Sequence, residues 1–149
     1  MDIHFRLVQE EDCDLLYKWA NDPVVRENSF NKHFISYDEH KKWFYEKINS
    51  PKCLFFIVIS FDQPVGQIRL DIEEDTAIIN YSVDKNYRGR GYGTQILINI
   101  VQVIKEYNIP VNRIVGKVKL SNIASQKAFK KAGYSEKRFK DYIEYSKDI

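Results

Sequence analysis

The chain has 149 residues, of which 44% are hydrophobic and 30% charged, the make-up of one ordinary globular domain with a buried core. Lys and Arg (23) nearly balance Asp and Glu (21), and a net charge of +2 excludes the strongly basic surface that nucleic acid or an anionic membrane demands. Cys13 and Cys53 are too few for a disulfide framework or a metal cluster, so no metal is expected and both read as reduced thiols of a cytoplasmic protein.

Ile3 to Val8 alternates apolar and polar residues and predicts an opening strand. The start has no apolar segment of signal-peptide length, and the longest apolar stretch, Leu54 to Ile59, is far too short to span a bilayer. Asp12 is placed to cap a helix that carries Leu15, Leu16 and Trp19 on one stripe and ends near Asn21-Asp22-Pro23. Val24 to Tyr37 lacks a clean period and reads as a loop, dense in the hydrogen-bonding side chains of Arg26, Asn28, Ser29, Asn31, Lys32 and His33. A second helix starts at Ser36 or Tyr37, with His40, Trp43, Phe44 and Ile48 near one face.

Leu54 to Ser60 is continuously apolar and rich in β-branched and aromatic residues, the mark of a central strand. After a turn at Asp62-Gln63-Pro64, Val65 to Ile72 alternates: Ile68, Leu70 and Ile72 face one way, Gln67, Arg69 and Asp71 the other. Glu73-Glu74-Asp75 turns the chain again into Ala77 to Val83. Three strands at hairpin spacing imply an antiparallel meander.

The meander leads into Tyr87-Arg88-Gly89-Arg90-Gly91-Tyr92-Gly93-Thr94. Three glycines within five residues leave the main-chain N–H groups unshielded, and the helix that follows, Thr94 to Tyr107, adds unpaired amides and a positive dipole end. Arg88 and Arg90 add two cationic forks, so the turn predicts a diphosphate site. A dinucleotide fingerprint fails at Thr94 and Ile96, and no Gly-Lys-Ser/Thr is present for a nucleotide triphosphatase loop. The helix ends at Asn108-Ile109-Pro110, and Arg113 to Leu120 is a further strand. Asn122 caps a last helix with Ala124, Ala128, Phe129 and Ala132 inward and Gly133 at its left-handed end; Tyr134 to Tyr145 supplies two final strands.

Arg88-x-x-Gly91-x-Gly93 between a strand and a helix resembles the pyrophosphate loop of the GNAT N-acetyltransferases, Gln/Arg-x-x-Gly-x-Gly/Ala. The run from Asn122 to Tyr134 resembles their second signature, an Asn-x-x-Ala/Ser helix that ends in Gly-Phe/Tyr, and the order of elements matches over nearly the whole chain. The resemblance implies one α/β (α+β) domain over residues 1–149, a mixed, mostly antiparallel sheet of about seven strands flanked by four helices. It also implies acetyl-CoA as co-substrate without a metal, direct attack by a primary amine in a ternary complex, and a monomer or homodimer. By the same resemblance Ser82 and Val83 pair with the pantetheine arm, and Arg88, Gly89, Arg90, Gly91, Tyr92, Gly93 and Thr94 hold the pyrophosphate. Asn122, Ser125 and Phe129 are expected along the coenzyme.

Two positions depart from the family's pattern. The usual glutamate base, three residues before Tyr81, is Ile78, and the usual tyrosine acid is Phe129. A thiol of pKa about 8.5 is a tolerable leaving group unaided. For the base, Asp71 and the Tyr81 hydroxyl are the candidates. Trp19 to Ser29, followed by Ile35 to His40 and Trp43, is similar to the branch that acetylates UDP-linked amino-deoxysugars of nonulosonate (pseudaminic acid-like) pathways. That likeness implies a small-molecule amine as partner, with Arg26 and His40 on the diphosphate and Asn28, Ser29 and Trp43 in the acceptor site. The Trp-x-Asn-Asp-Pro opening is also similar to enzymes that acetylate ribosomal-protein N-termini, and Ile78 with Phe129 leaves a non-catalytic CoA-binding module as a further alternative.

Overall fold

The computed structural model describes residues 1–149. Its seven strands form one sheet in the order β1-β2-β3-β4-β5-β7-β6. In chain order the elements are β1 (His4–Leu7), α1 (Cys13–Ala20), α2 (Pro23–Asn28), α3 (Tyr37–Ile48), β2 (Cys53–Ser60), β3 (Gln63–Glu73) and β4 (Thr76–Val83). They continue through α4 (Tyr92–Glu106), β5 (Arg113–Lys119), α5 (Ile123–Lys131), β6 (Ser135–Arg138) and β7 (Tyr142–Asp148). The β4–β5 pair is parallel and every other pair antiparallel. This is the mixed, mostly antiparallel sheet that the sequence predicts, with five α-helices where four were expected.

The meander is tighter than its composition suggests. Ser60 pairs with Gln63 across Phe61 and Asp62, both at positive φ, so β3 starts two residues before the alternation at Val65. Pro64 then lies inside the strand opposite Ile59, at a register shift that tolerates its missing N–H. The alternation in β3 sorts two cores. On one face Phe56, Ile68, Leu70 and Ile79 pack with Ile96, Leu97, Ile100 and Ile104 of α4. On the other, Phe55 and Ile57 are covered by Leu16 and Trp19 of α1 and Phe44 of α3. Burial of one stripe, Ile96, Leu97, Ile100, Val103 and Ile104, against the first of these faces is what turns the β-prone Ile/Val run of α4 into a helix, since tertiary packing outweighs its weak helix propensity.

Three local expectations change. The segment after Asn21 is not all loop: Asp22 accepts from the amides of Val24 (2.9 Å) and Val25 (3.3 Å), and Pro23 opens α2. Asp12 makes no capping bond to α1; its carboxylate takes both arms of Arg6, at 2.8 and 2.9 Å, and the Gln9 amide. Finally, α4 begins at Tyr92 rather than Thr94, so the last glycine of the turn belongs to the helix's first turn. No helix is long and apolar enough to cross a membrane.

Candidate active site

β4 and β5 pair only at Thr76–Arg113, Ala77–Ile114 and Ile78–Val115. Beyond Ile78 the two strands part, and the main chain of Ile79 to Val83 lines a cleft of about 530 Å³. One rim is the glycine turn. Gly91 stands at φ 88°, a left-handed conformation that a Cβ disfavours, and as the N-terminal cap of α4 it has no side chain to bond the helix amides. The helix's first i→i−4 bond is Gln95 N to Gly91 O at 3.2 Å, which leaves the amides of Tyr92, Gly93 and Thr94 ahead of the ladder and facing the positive end of the dipole. Such an array can hold an anion. The opposite rim is α5, where the Asn122 side chain accepts from Ser125 N at 3.2 Å and Ser125 Oγ shares a 2.8 Å hydrogen bond with the Tyr81 hydroxyl.

A second cavity, about 410 Å³, lies on the other face of the sheet beneath α1, α3 and the chain that follows α2. Trp19, Trp43 and Phe55 give it aromatic walls, and Gln67, Arg69, Asn80 and Ser82 line it from β3 and β4. The Arg69 guanidinium lies 5.0 Å over the Trp43 ring. Val25, Ser29, Asn80 and Ser82 line both cavities, so the two spaces meet across β4. A donor entering along the strand gap and an acceptor entering from the helix face would touch there.

A profile of the acetyltransferase (GNAT) domain matches residues 2–135. The chain belongs to the GNAT acetyltransferase family. It is an acetyl-CoA-dependent N-acetyltransferase, with acetyl-CoA as its co-substrate. Solved structures share the fold over essentially the full length. A spermidine N-acetyltransferase from Vibrio cholerae, in complex with CoA and spermine, aligns at TM-score 0.85 and 16% identity, covering 99% of this chain and 95% of that one. A Salmonella typhimurium acetyltransferase that modifies the N-terminal serine of a 50S ribosomal subunit protein aligns at TM-score 0.83 and 17% identity, over 100% and 96%. The aminoglycoside acetyltransferase AAC(6')-Ib with coenzyme A aligns at TM-score 0.84 and 17% identity, over 99% and 95%. No curated protein matches the sequence.

Within this GNAT frame the expected coenzyme residues Ser82, Val83, Arg88, Gly89, Gly91, Tyr92, Gly93, Thr94, Asn122, Ser125 and Phe129 all line the cleft. The two arginines do not act as free forks. Arg88 Nε donates to Val83 O at 3.1 Å and its Nη2 to Asp22 Oδ1 at 2.9 Å, tying the end of β4 to the cap of α2. Burial alone would raise the Asp22 pKa, but Arg88 and the α2 amides hold it below the usual carboxylate range. Arg90 lies over the Tyr87 ring at 5.4 Å and outside the cleft lining. At the turn itself the unpaired donors are the main-chain amides, and the cationic side chains that line the cleft beside Arg88 are Lys117, Lys127 and Lys131.

Phe129 is only 2% exposed, stacked flat on Tyr145 at 4.9 Å with Tyr134 and Tyr81 edge-on. Gly116 leaves it that room, since a Cβ there would run into the ring. Burial pushes the Tyr81 phenol up to about 12, so it stays protonated at neutral pH and is no base. Asp71 lines neither cavity: it bonds Lys47 at 2.9 Å and Arg69 at 3.0 Å. Burial raises its pKa, yet Arg69 and Lys47 more than offset that and keep it an ionised ion-pair partner rather than a base.

The acceptor residues are likewise redistributed. Arg26 spends its guanidinium on the chain itself, donating to Ala20 O (2.6 Å), Asn31 O (3.0 Å), His33 O (3.3 Å) and Ser29 Oγ (3.1 Å). It staples the wall of the acceptor cavity and is not free for a diphosphate. His40 is 2% exposed among Tyr17, Trp43 and Phe44, with its Nε2 on Cys13 O at 3.0 Å. Burial lowers its pKa, so the ring is neutral and offers a phosphate no charge. Ser29 lines both cavities, Trp43 the acceptor cavity, and Asn28 the cleft. The sequence reading missed Gln67, Arg69 and Asn80 as lining residues. The polar face of β3, opposite Ile68 and Leu70, was the available signal for the first two. No group of three or more His, Cys, Asp or Glu side chains gathers as a metal site.

Proposed function

We propose that this acetyltransferase modifies the amino group of a compact, sugar-like acceptor that carries an anionic group, with UDP-linked amino-deoxysugars as the favoured class. The carrying observation is the junction at Asn80 and Ser82, where a cavity on the helix face of the sheet opens onto the cleft between β4 and β5. The acceptor cavity is walled by the segment whose sequence is similar to the nucleotide-sugar enzymes. Its charged residues are Arg26, Arg69 and Glu39, a net positive wall that opposes polycationic amines. Trp19, Trp43 and Phe55 suit the apolar face of a ring. Arg69, stacked on Trp43, takes the anion-binding part first expected of Arg26 and His40.

In this reading the amines of the substrate and the acyl carbon join as the carbon–sulfur bond breaks, and one amine proton ends on the coenzyme sulfur. The unpaired edge of Ile79 to Val83 orients the acyl arm and polarises its carbonyl through main-chain N–H groups. The amides of Tyr92 to Thr94 hold the diphosphate. Tyr81, kept protonated and bonded to Ser125, gives the departing sulfur a hydrogen bond in place of a hydroxyl at Phe129, while the proton that the sulfur keeps comes from the amine.

A protein N-terminus is the second reading, favoured by Phe30 and Phe34, which the chain beside both cavities exposes at 59% and 69%. The deciding comparison is kcat/KM for a UDP-amino-deoxysugar, the same sugar without UDP, an N-terminal peptide and a polyamine. The UDP sugar should lead the free sugar by about tenfold or more, the worth of one charge-assisted contact, and Arg69→Met should erase that lead while the KM for acetyl-CoA stays unchanged. Preference for the peptide promotes the second reading; indifference to UDP ends the first.

A further inference from the structure

We infer that Asn80 and Ser82, held in place by Gln67, receive the attacking amine through uncharged hydrogen-bond acceptors, so that the pH dependence of amine transfer belongs to the acceptor and not to the protein. The inference rests on the acetyl-transfer reading of the junction, but not on which amine is the substrate. Asn80 and Ser82 stand two apart on β4, on the face opposite Tyr81, and both line the cleft and the acceptor cavity. Gln67, on the neighbouring strand, donates from one Nε2 to Asn80 Oδ1 and to Ser82 Oγ, each at 3.1 Å. Those bonds fix both oxygens and leave each a lone pair for an incoming N–H. An amine that gives its hydrogens to the two oxygens turns its own lone pair away from them, toward the cleft.

Gln67 also carries an anomaly. It is 8% exposed, and its Oε1 is buried without a hydrogen-bond partner. An unpaired buried acceptor is destabilising, and a methionine of similar length would fill the space without that cost. The use of the amide lies in what its Nε2 holds. Gln67 is thus a positioning residue, and Asn80 and Ser82 are the contacts.

None of the charged or titratable groups around the junction is hydrogen-bonded to the side chains of Asn80, Ser82 or Gln67. In the acceptor cavity they are Arg26 and Arg69, always protonated, His40, whose Nε2 is committed to Cys13 O, and the exposed His33 and Glu39. On the cleft side Tyr81 is bonded to Ser125 and Arg88 to Asp22; Lys117, Lys127 and Lys131 are cations. The amine therefore arrives neutral, its nitrogen bonds the acyl carbon as the carbon–sulfur bond breaks, and one of its protons ends on the sulfur.

The test measures thiol release with two primary amines of different pKa, drawn from whichever amines the enzyme accepts in a broad panel. For wild type, kcat/KM for the amine should rise with pH to a plateau whose midpoint moves with the amine's own pKa. Gln67→Met should lower kcat/KM for the amine about tenfold or more, with the KM for acetyl-CoA unchanged and the melting temperature not reduced. Gln67→Glu should move the midpoint to lower pH, because the new carboxylate can take the extra proton from a bound ammonium and leave the neutral amine to attack. Asn80→Ala, at an exposed side chain, serves as the companion variant if Gln67→Met fails to fold, and should show the same loss. A midpoint fixed at one pH for both amines reveals a protein base and overturns the inference, as does a Gln67→Met or Asn80→Ala enzyme with wild-type kcat/KM. A midpoint that tracks the amine while UDP sugars are refused leaves the inference standing and removes only the acceptor assignment.

Discussion

Replacing Gly91 with alanine separates backbone strain from ligand contact. Gly91 (φ 88°) and Gly133 (φ 85°) occupy the same left-handed region, but only Gly91 lines the cleft. A Cβ at Gly91 meets nothing nearer than the Met1 side chain at 3.8 Å, and one at Gly133 nothing nearer than Lys147 Nζ at 3.8 Å. Neither substitution clashes inside the protein, so each costs only the conformational penalty, about 1–2 kcal/mol. For a chain of this size that lowers Tm by roughly 2–8 °C in both variants. CoA binding should divide them. At Gly91 the methyl group stands where phosphate oxygens approach the amides of Tyr92 to Thr94, and losing one charge-assisted contact of about 1.5–3 kcal/mol weakens Kd about 10- to 150-fold. Gly133→Ala should bind CoA as wild type does. Calorimetric titration with CoA beside thermal melts gives both quantities. A Gly91→Ala protein with wild-type Kd, or an equal loss in Gly133→Ala, would refute the assignment of the turn.

Phe129→Tyr directs a new hydroxyl toward Gly116, where the ring is already close-packed, so kcat should change by no more than about threefold while Tm falls. Arg26→Ala frees the carbonyls of Ala20, Asn31 and His33 and should cost about 2–4 kcal/mol in denaturant unfolding; lysine, lacking the planar fork, should not restore it. Asp71→Asn should leave the pH profile of kcat/KM intact, because its carboxylate is bound to Lys47 and Arg69 away from both cavities. The Asp12 pKa is lowered: burial raises it, but Arg6 and the Gln9 amide outweigh burial. Its stabilising part is full above the unfolded value of about 3.9 and is lost as pH falls through the depressed folded value, so Asp12→Asn should be about 1–2 kcal/mol weaker at pH 7 and converge with wild type once the pH is below that depressed value.

The sequence by itself determined the parts whose physics is local. Alternation over Val65 to Ile72 set which residues of β3 face α4, because a strand's side chains alternate whatever lies beyond them. The glycine turn, the cap at Asn122 and the left-handed Gly133 were legible for the same reason: each solves a main-chain problem within a few residues. Asp22-Pro23 carried an equally local cap signal for α2, hidden by the missing apolar period of a six-residue helix. The tertiary structure alone decided where charged and polar side chains end. Arg88 finds its carboxylate 66 residues away at Asp22, and Trp19 Nε1 its own at Asp84 at 2.8 Å. Arg26 and His40 look like ligand-binding groups in one dimension and become a staple and a buried neutral ring in three. Gln67 gains its place because β3 and β4 pair in the register that sets it opposite Ser82. Long side chains bond the nearest unpaired carbonyl or carboxylate, and folding decides which one is near.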